Sequence, residues 1–431
     1  VYKDATIGNM RTNIFQDVLR KVLRYNGYKI KHAMNITDVG HLVSDGDEGE
    51  DKMLKSAREE NKAPEEIANH YTKLFFDDLK NLNLETPEII CKATDHIQDM
   101  LKYVEKLVEK GYAYETSTAI YFDISKLDKY PVLSNLNLED QKAGARVEVD
   151  PEKKNPQDFA LWIKAPENHL MKWDSPWGPS YPGWHIECSA MGQKYLGEQF
   201  DIHTGGIDLI PTHHENEIAQ SKGYCGKIPA KYWLHGEYLL IDGGKMSKSL
   251  GNVYLIKDII DIGYDPLVYK VFTYSSHYRN KLNFTWDGIE ATSKSLERLK
   301  NGYKAHLDGT DKIEDSKIIE YEERFHKAIN DDLNMPFSMG VVWEVVRNEK
   351  KSPKLAELLL KFDTILGLKI DEETKQDKVQ DEIPEEILKL VEERNIARAN
   401  KDWAKSDELR DKIQEKGFKV IDSKEGTRIE K

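Results

Sequence analysis

The 431-residue sequence predicts an α/β half interrupted by a β-rich insertion, then a helical bundle and a small C-terminal unit. Three observations carry this. Residues 9–39 read as a helix followed by a strand that ends in a polar loop. Residues 113–175 turn strand-rich, with Gly and Pro at the turns, and residues 288–368 are almost continuous amphipathic helix. A chain of this length holds roughly two to four domains, and its 39% hydrophobic residues are enough for real cores.

Taken in order, residues 9–26 carry Ile14, Val18, Leu19, Val22 and Leu23 at helical spacing, with Gly27 as the stop. The stretch 28–39 reads as a strand whose polar end holds Asn35, Thr37 and Asp38, and ligands bind at such strand ends. Just before the helix, "TIGN" (Thr6 to Asn9) has two readings: an ordinary cap, or an anion site in which Gly8 lets the backbone approach the ligand. The acidic loop 44–52 lacks calcium-loop spacing, and helical patterns resume through 64–110. After the insertion the α/β pattern returns, with strands near 199–204 and 232–241, and closes on "DGGKMSKSLGN". Residues 370–383 are polar and aperiodic, a linker, and the last unit carries a helix or two and the strand-like "GFKVID". The expected divisions are therefore 1–112 and 176–242 for the α/β domain, 113–175 for the insertion, and 243–287 for the basic loop with its C-terminal flank. The bundle takes 288–369, the linker 370–383 and the last unit 384–431.

Composition narrows the function classes. Cys91, Cys188 and Cys225 are too few for a disulfide framework, which points to a reducing compartment and hence the cytoplasm. No apolar run approaches the roughly 20 residues a bilayer requires, so no membrane partner is expected. The net charge of −13 restricts any nucleic-acid contact to a local basic patch.

Two stretches concentrate chemistry. In "DLIPTHHENEIAQS" (208–221), His213 and Glu217 lie four apart on one helical face, the spacing of two ligands of one metal, while His214 and Glu215 turn away. The competing reading is a solvated helix start, with Thr212 as N-cap and Glu215 as its capping-box partner. In "KMSKS", Lys245 and Lys248 sit on a glycine-flanked loop able to swing over a triphosphate and neutralise charge on departing pyrophosphate.

Together with "MNITDVGHLVSDGDEGEDKM", "GWHIECSAM", "FDIHTGGIDLIPTHHENEIAQS", "HYRNKLNFTW" and "ARANKDWAKSDELRDKI", these motifs run in one order over essentially the whole chain. In that respect the sequence resembles the class I aminoacyl-tRNA synthetases, and among them the cysteinyl-tRNA synthetase family. The resemblance implies a Rossmann-type parallel-sheet catalytic domain and a C-terminal anticodon-binding unit. It implies one Zn2+ held by Cys188, His213 and Glu217, with a fourth ligand, a cysteine, upstream of Val1, since neither Cys91 nor Cys225 fits that place. Zinc accepts thiolate, imidazole and carboxylate together. A metal that ligates thiolate tells cysteine from serine chemically, where shape alone does so poorly.

Further implications are Thr37, Trp184 and Asp208 around the bound cysteine, and Thr6, Gly8, Asn9, Lys245, Ser247 and Lys248 on ATP with Mg2+. Arg398, Trp403 and Asp407 on one helix, with Asp422 after it, would read the anticodon of tRNA(Cys). For Trp184 and Trp403 the plainer alternative is core packing. Thr6 departs from the family's His-Ile-Gly-His signature: its hydroxyl can donate to phosphate but cannot carry charge. The implied reaction activates L-cysteine with ATP and transfers it to tRNA(Cys), in a monomer. The alternatives are a cysteine-activating ligase of mycothiol synthesis, disfavoured by the anticodon-type helix, and a non-catalytic tRNA-binding paralogue.

Overall fold

A computed structural model describes residues 2–40, 52–134, 150–167, 169–247, 250–372, 384–400, 402–423 and 426–430. Lys248, most of the acidic loop and most of the linker lie outside them. The chain opens on α1 (Ile7–Tyr25), whose Ile7, Met10, Ile14, Val18 and Val22 form a buried stripe. β1 (Ala33–Ile36) follows, then α2 (Lys52–Glu60), α3 (Pro64–Asn81) and β2 (Ile89–Lys92). β2 pairs in parallel with β1, Ala33 opposite Ile89. The helical reading of 64–110 is corrected here: a four-residue strand precedes α4 (Ile97–Glu109), and so short an apolar run carries no period that separates helix from strand.

The insertion is built on an antiparallel sheet of β3 (Ala113–Glu115), β4 (Ala119–Phe122), β5 (Phe159–Lys164) and β6 (Ser180–Pro182), paired in that order, and β6 lies past the expected boundary at 175 because it pairs with β5. Beneath it, Phe122, Phe159 and Trp162 share a core with Ile97, Met100 and Val104 of α4 and Ile186 of α5 (Trp184–Leu196). β7 (Phe200–Gly206) and β8 (Ala230–Gly236) run parallel, joined through α6 (Glu215–Cys225), the crossover that parallel strands require. The strand expected over 232–241 is two: β8 ends at Gly236 and β9 (Leu239–Ile241) starts a second small sheet with β10 (Gly244–Lys245) and β11 (Leu282–Phe284).

Short helices α7 (Ile256–Asp261) and α8 (Leu267–Thr273) lead into the bundle of α9 (Trp286–Leu307), α10 (Asp315–Asn330), α11 (Met335–Val346) and α12 (Pro353–Leu366). One hydrophobic core runs from Ile7 and Val18 of α1 through Tyr269 to Phe325 and Phe362 of the bundle. Inside it, the Lys270 ammonium lies 3.1 Å from the Asn83 carbonyl and 3.5 Å from both Asp17 Oδ2 and the Gly367 carbonyl, and Lys21 also reaches Asp17 Oδ2, at 2.7 Å. A Cβ at Gly367 would stand 2.8 Å from both ammonium nitrogens. The residue is a left-handed helix stop and the floor of this cluster.

The C-terminal unit holds α13 (Glu385–Ala399), α14 (Trp403–Glu415) and a hairpin of β12 (Lys419–Ser423) and β13 (Gly426–Glu430) around Ile387, Ile413 and Phe418. Arg398 and Trp403 do not share a helix as expected. Asp402 caps a new one, accepting from the Lys405 amide at 3.1 Å, and the first helix ends at Ala399. No helix is long and apolar enough to cross a membrane among the described residues.

Candidate active site

The helix carrying "HHENE" does not start as a capped solvated end. Ile207–Leu209 forms a 3-10 turn, Ile210–His214 a π turn, and α6 begins at Glu215. The capping box on Thr212 is therefore absent; Glu215 is fully buried and accepts from the amides of Val132, Leu133 and Ser134 in the insertion. π-Turns are rare and cluster at functional sites. The widened turn has a consequence for His214, which was expected to face away. Its Nε2 lies 4.0 Å from Glu217 Oε1, so both histidines look toward the same carboxylate.

Donor atoms of Cys188, His213 and Glu217 all lie within 4.8 Å of one another, on α5, the π turn and α6. His213 Nε2 is 3.1 Å from Glu217 Oε1, and the Trp184 ring centre stands 4.5 Å from that of His213. Three histidines unmarked by the sequence reading complete the cluster. His203 Nε2 lies 3.2 Å from Glu217 Oε2; His185 Nδ1 meets His213 Nδ1 at 2.9 Å; His235 Nε2 meets His214 Nδ1 at 2.8 Å. One signal could have found them: five of the 13 histidines fall between residues 185 and 235.

Burial pushes the His214 ring down to about 2 and His235 down to about 4, so both are neutral. Burial alone would raise the Glu217 carboxyl, but His203 and His213 outweigh it and hold the group well below the ordinary carboxylate range. Burial, then the Glu217 and Glu187 carboxylates, push the Cys188 thiol far up. Imidazole nitrogens and a carboxylate are thus aimed at one another, and such acceptors approach only with protons or a cation between them. The thiol, imidazole and carboxylate fit a divalent metal, whose charge would reverse the Cys188 shift.

Thr37 follows β1; burial pushes the carboxyl of Glu187, the buried neighbour of Cys188, up to about 8, against a smaller pull downward from Thr37. Asp208 sits exposed on the 3-10 turn, its charge facing Tyr238. Thr6 caps α1 in a reciprocal box with Asn9: the Asn9 amide donates to Thr6 Oγ1 at 3.3 Å and the Thr6 amide to Asn9 Oδ1 at 2.9 Å. The Thr6 hydroxyl donates to Asn9 Oδ1 as well, which realises the ordinary-cap reading, and the Ile7 amide donates to the Tyr254 carbonyl at 2.9 Å, so the amides of Thr6, Ile7 and Asn9 are all engaged. Gly8 lies under Met246: a Cβ there would be 3.8 Å from the Met246 methyl. The "TIGN" turn and the basic loop are therefore side by side. Lys245 is exposed, and Asn252 accepts from the Ser247 amide at 2.7 Å and donates to the Lys245 carbonyl at 3.2 Å. Gln16 Nε2 donates to Thr204 Oγ1 at 2.9 Å, tying α1 to β7 beside His203.

In the C-terminal unit Trp403 is 60% exposed, which rules out the core-anchor reading, and Asp407 is exposed too. The Asp422 backbone lies in β12 opposite Thr427; its side chain is outside the described residues.

The class I (C) tRNA synthetase catalytic domain matches residues 1–294, and the cysteinyl-tRNA ligase anticodon binding domain matches 380–429. The cysteine–tRNA ligase of Treponema denticola is 46% identical over 453 residues, covering 98% of this chain and 91% of that protein. Cysteine–tRNA ligase 1 of Burkholderia lata is 44% identical, covering 100% and 90%, and that of Thermus thermophilus 40%, covering 99% and 92%. Among solved structures, methionyl-tRNA synthetase of Mycobacterium tuberculosis with methionyl-adenylate superposes with a TM-score of 0.57 at 13% identity, covering 85% of this chain and 88% of that one. The LeuRS of Agrobacterium radiobacter K84, in a ternary complex, gives 0.61 at 11% identity, covering 85% and 82%. These two likenesses concern the fold alone.

Proposed function

Since the chain belongs to the cysteine–tRNA ligase family of class I aminoacyl-tRNA synthetases, we propose that this site forms cysteinyl-adenylate and passes the amino acid to tRNA(Cys). A carboxylate oxygen of L-cysteine attacks the α-phosphorus of ATP, and the bond to pyrophosphate breaks. A hydroxyl of the terminal ribose of the tRNA then attacks the activated carbonyl, and AMP leaves. No covalent enzyme intermediate is needed, so catalysis is positioning and charge stabilisation. The observation that carries this reading is the convergence of Cys188, His213 and Glu217 beside Trp184, together with the contact between the "TIGN" turn and the basic loop.

In this reading the Thr6–Asn9 turn holds phosphates, with Gly8 as the point of close backbone approach, while Lys245 and Lys248 neutralise the departing pyrophosphate and Ser247 donates a hydrogen bond to it; the pyrophosphate travels with Mg2+. Thr37, Trp184 and Asp208 surround the amino acid. Cys188, His213 and Glu217 would hold Zn2+, which supplies a Lewis acid for the thiol of cysteine and has little affinity for the hydroxyl of serine. Exposed Trp403 offers a stacking face to a splayed anticodon base, with Arg398, Asp407 and Asp422 reading edges. The test is ATP–pyrophosphate exchange with cysteine and with serine, before and after metal stripping. Exchange that needs cysteine and metal is expected; equal exchange with serine would sink the selectivity argument.

A further inference from the structure

The "HYRN" stretch at 277–280 takes no part in the site, yet α1 holds it. Arg11, on α1 just past the Thr6–Asn9 turn, is buried, and its guanidinium donates to four backbone carbonyls. Nη1 reaches those of Glu237 at 2.8 Å and Tyr238 at 2.9 Å, and Nη2 those of His277 at 3.3 Å and Asn280. The two pairs lie just upstream of β9 and β11, parallel neighbours in the small sheet whose β10 ends on Lys245. A planar fork of donors can bridge two segments in this way.

On the reading that Lys245 and Lys248 neutralise departing pyrophosphate, we propose that Arg11 is a positioning residue for adenylation: it moors to α1 the sheet that carries the basic loop, so that the lysines meet the phosphates at the Thr6–Asn9 turn. The far flank of the loop is moored to the same helix, where the Ile7 amide donates to the Tyr254 carbonyl at 2.9 Å. One helix therefore sets both the phosphate turn and the chain on either side of the basic loop.

The bundle grips 277–280 from the other side. His277 Nε2 donates to the Asp332 carbonyl at 2.7 Å, the Tyr278 hydroxyl donates to Asp332 Oδ1 at 2.7 Å, and Arg279 pairs with Oδ2. Asp332 and Leu333, in the turn between α10 and α11, both adopt the left-handed conformation, at φ 52° and 56°, which is uncommon outside glycine. With its carbonyls on Arg11 and its side chains on Asp332, the segment cannot shift without moving β11. Misplacing a group that acts on the transition state by about 1 Å costs on the order of 100-fold in rate. Transfer to tRNA is spared, because pyrophosphate has already left.

Arg11→Lys keeps the charge but places one nitrogen where two stood, so it cannot serve both segments. ATP–pyrophosphate exchange with cysteine should lose about 100-fold in kcat, with KM for ATP nearly unchanged. Transfer of cysteine from supplied cysteinyl-adenylate to tRNA(Cys) should keep the parent rate. Amide hydrogen exchange in peptides spanning 237–247 should accelerate, while that of α10 stays as in the parent. Equal loss in both steps, pyrophosphate exchange at the parent rate, or a slow variant whose 237–247 amides are protected as in the parent would overturn the proposal. If Arg11→Lys does not fold, Asp332→Ala decides, since it loosens the same segment from the bundle side: slower adenylation together with faster hydrogen exchange at 237–247 supports the mooring, and the absence of either refutes it. A parent protein without cysteine-dependent exchange would overturn the adenylation reading itself, and hydrogen exchange would still show whether Arg11 holds the sheet.

Discussion

Neighbouring residues of α1 reach two buried polar clusters built on opposite logic. Gln16 bonds Thr204 beside the histidine cluster, whereas Asp17 anchors Lys270 beneath the bundle. Around Lys270 every strong donor finds an acceptor of the protein: Asp17, the carbonyl of Asn83 and the carbonyl of Gly367. Around Glu217 three imidazole nitrogens converge on one carboxylate, and each contact needs a proton or a cation between the two atoms. A cluster that satisfies itself is a tie between domains. One that leaves lone pairs converging is a site, because it needs something from outside to complete it.

Four substitutions test that contrast. The largest effect is expected from Glu217→Gln, which removes the carboxylate of the Cys188–His213–Glu217 set. Metal retention, measured by chelator competition, should fall on the order of 10^3-fold, about a quarter of the free energy of a four-ligand zinc site. A variant that keeps its metal as tightly as the parent would erase the distinction.

Next comes Asp17→Asn. It leaves Lys21 and Lys270 buried without their counter-charge and should cost about 3 kcal/mol of unfolding free energy, the low end for a broken buried pair, since Lys270 can shed its proton. Its metal content should not change; loss of metal would mean that the two clusters are one unit.

His185→Ala tests the positioning of His213. Removing the partner of Nδ1 should weaken metal binding roughly 10–100-fold and leave in place the near-ultraviolet sulfur-to-cobalt charge-transfer band of the cobalt(II)-loaded protein. Unchanged affinity would reduce His185 to packing.

The smallest effect is a slope. Burial, with help from the Lys21 charge and against the pull of Asp17, lowers Lys270 from its ordinary 10.5 to about 7. Between those values the unfolded chain binds the extra proton, so this group makes unfolding free energy rise with pH, by at most ~1.4 kcal/mol per unit. Below pH 7 both states are protonated and the burial penalty is present in full. Lys270→Met should flatten the rise in denaturant titrations at pH 7 and 9.5; an identical slope in both proteins would show that Lys270 stays charged.

The sequence by itself determined the helix 7–25, the bundle and the β-rich insertion, because each shows its period over many residues, as Ile14, Val18 and Val22 do. It also determined the pairing of His213 with Glu217, since four-residue spacing survives the shift from π to α winding. It could not show β2, whose four residues are too few to carry a period, or the break between Arg398 and Trp403, where a single Asp402 cap competes with an unbroken amphipathic pattern. Only the tertiary structure decided what His214 faces, because a one-residue widening of the turn rotates it toward Glu217. It alone gathered His185, His203 and His235 from three other elements around that carboxylate. Spacing along a chain reports which side chains share a face of one element; which elements bring their faces together is set by packing between residues far apart in sequence, and no local pattern encodes it.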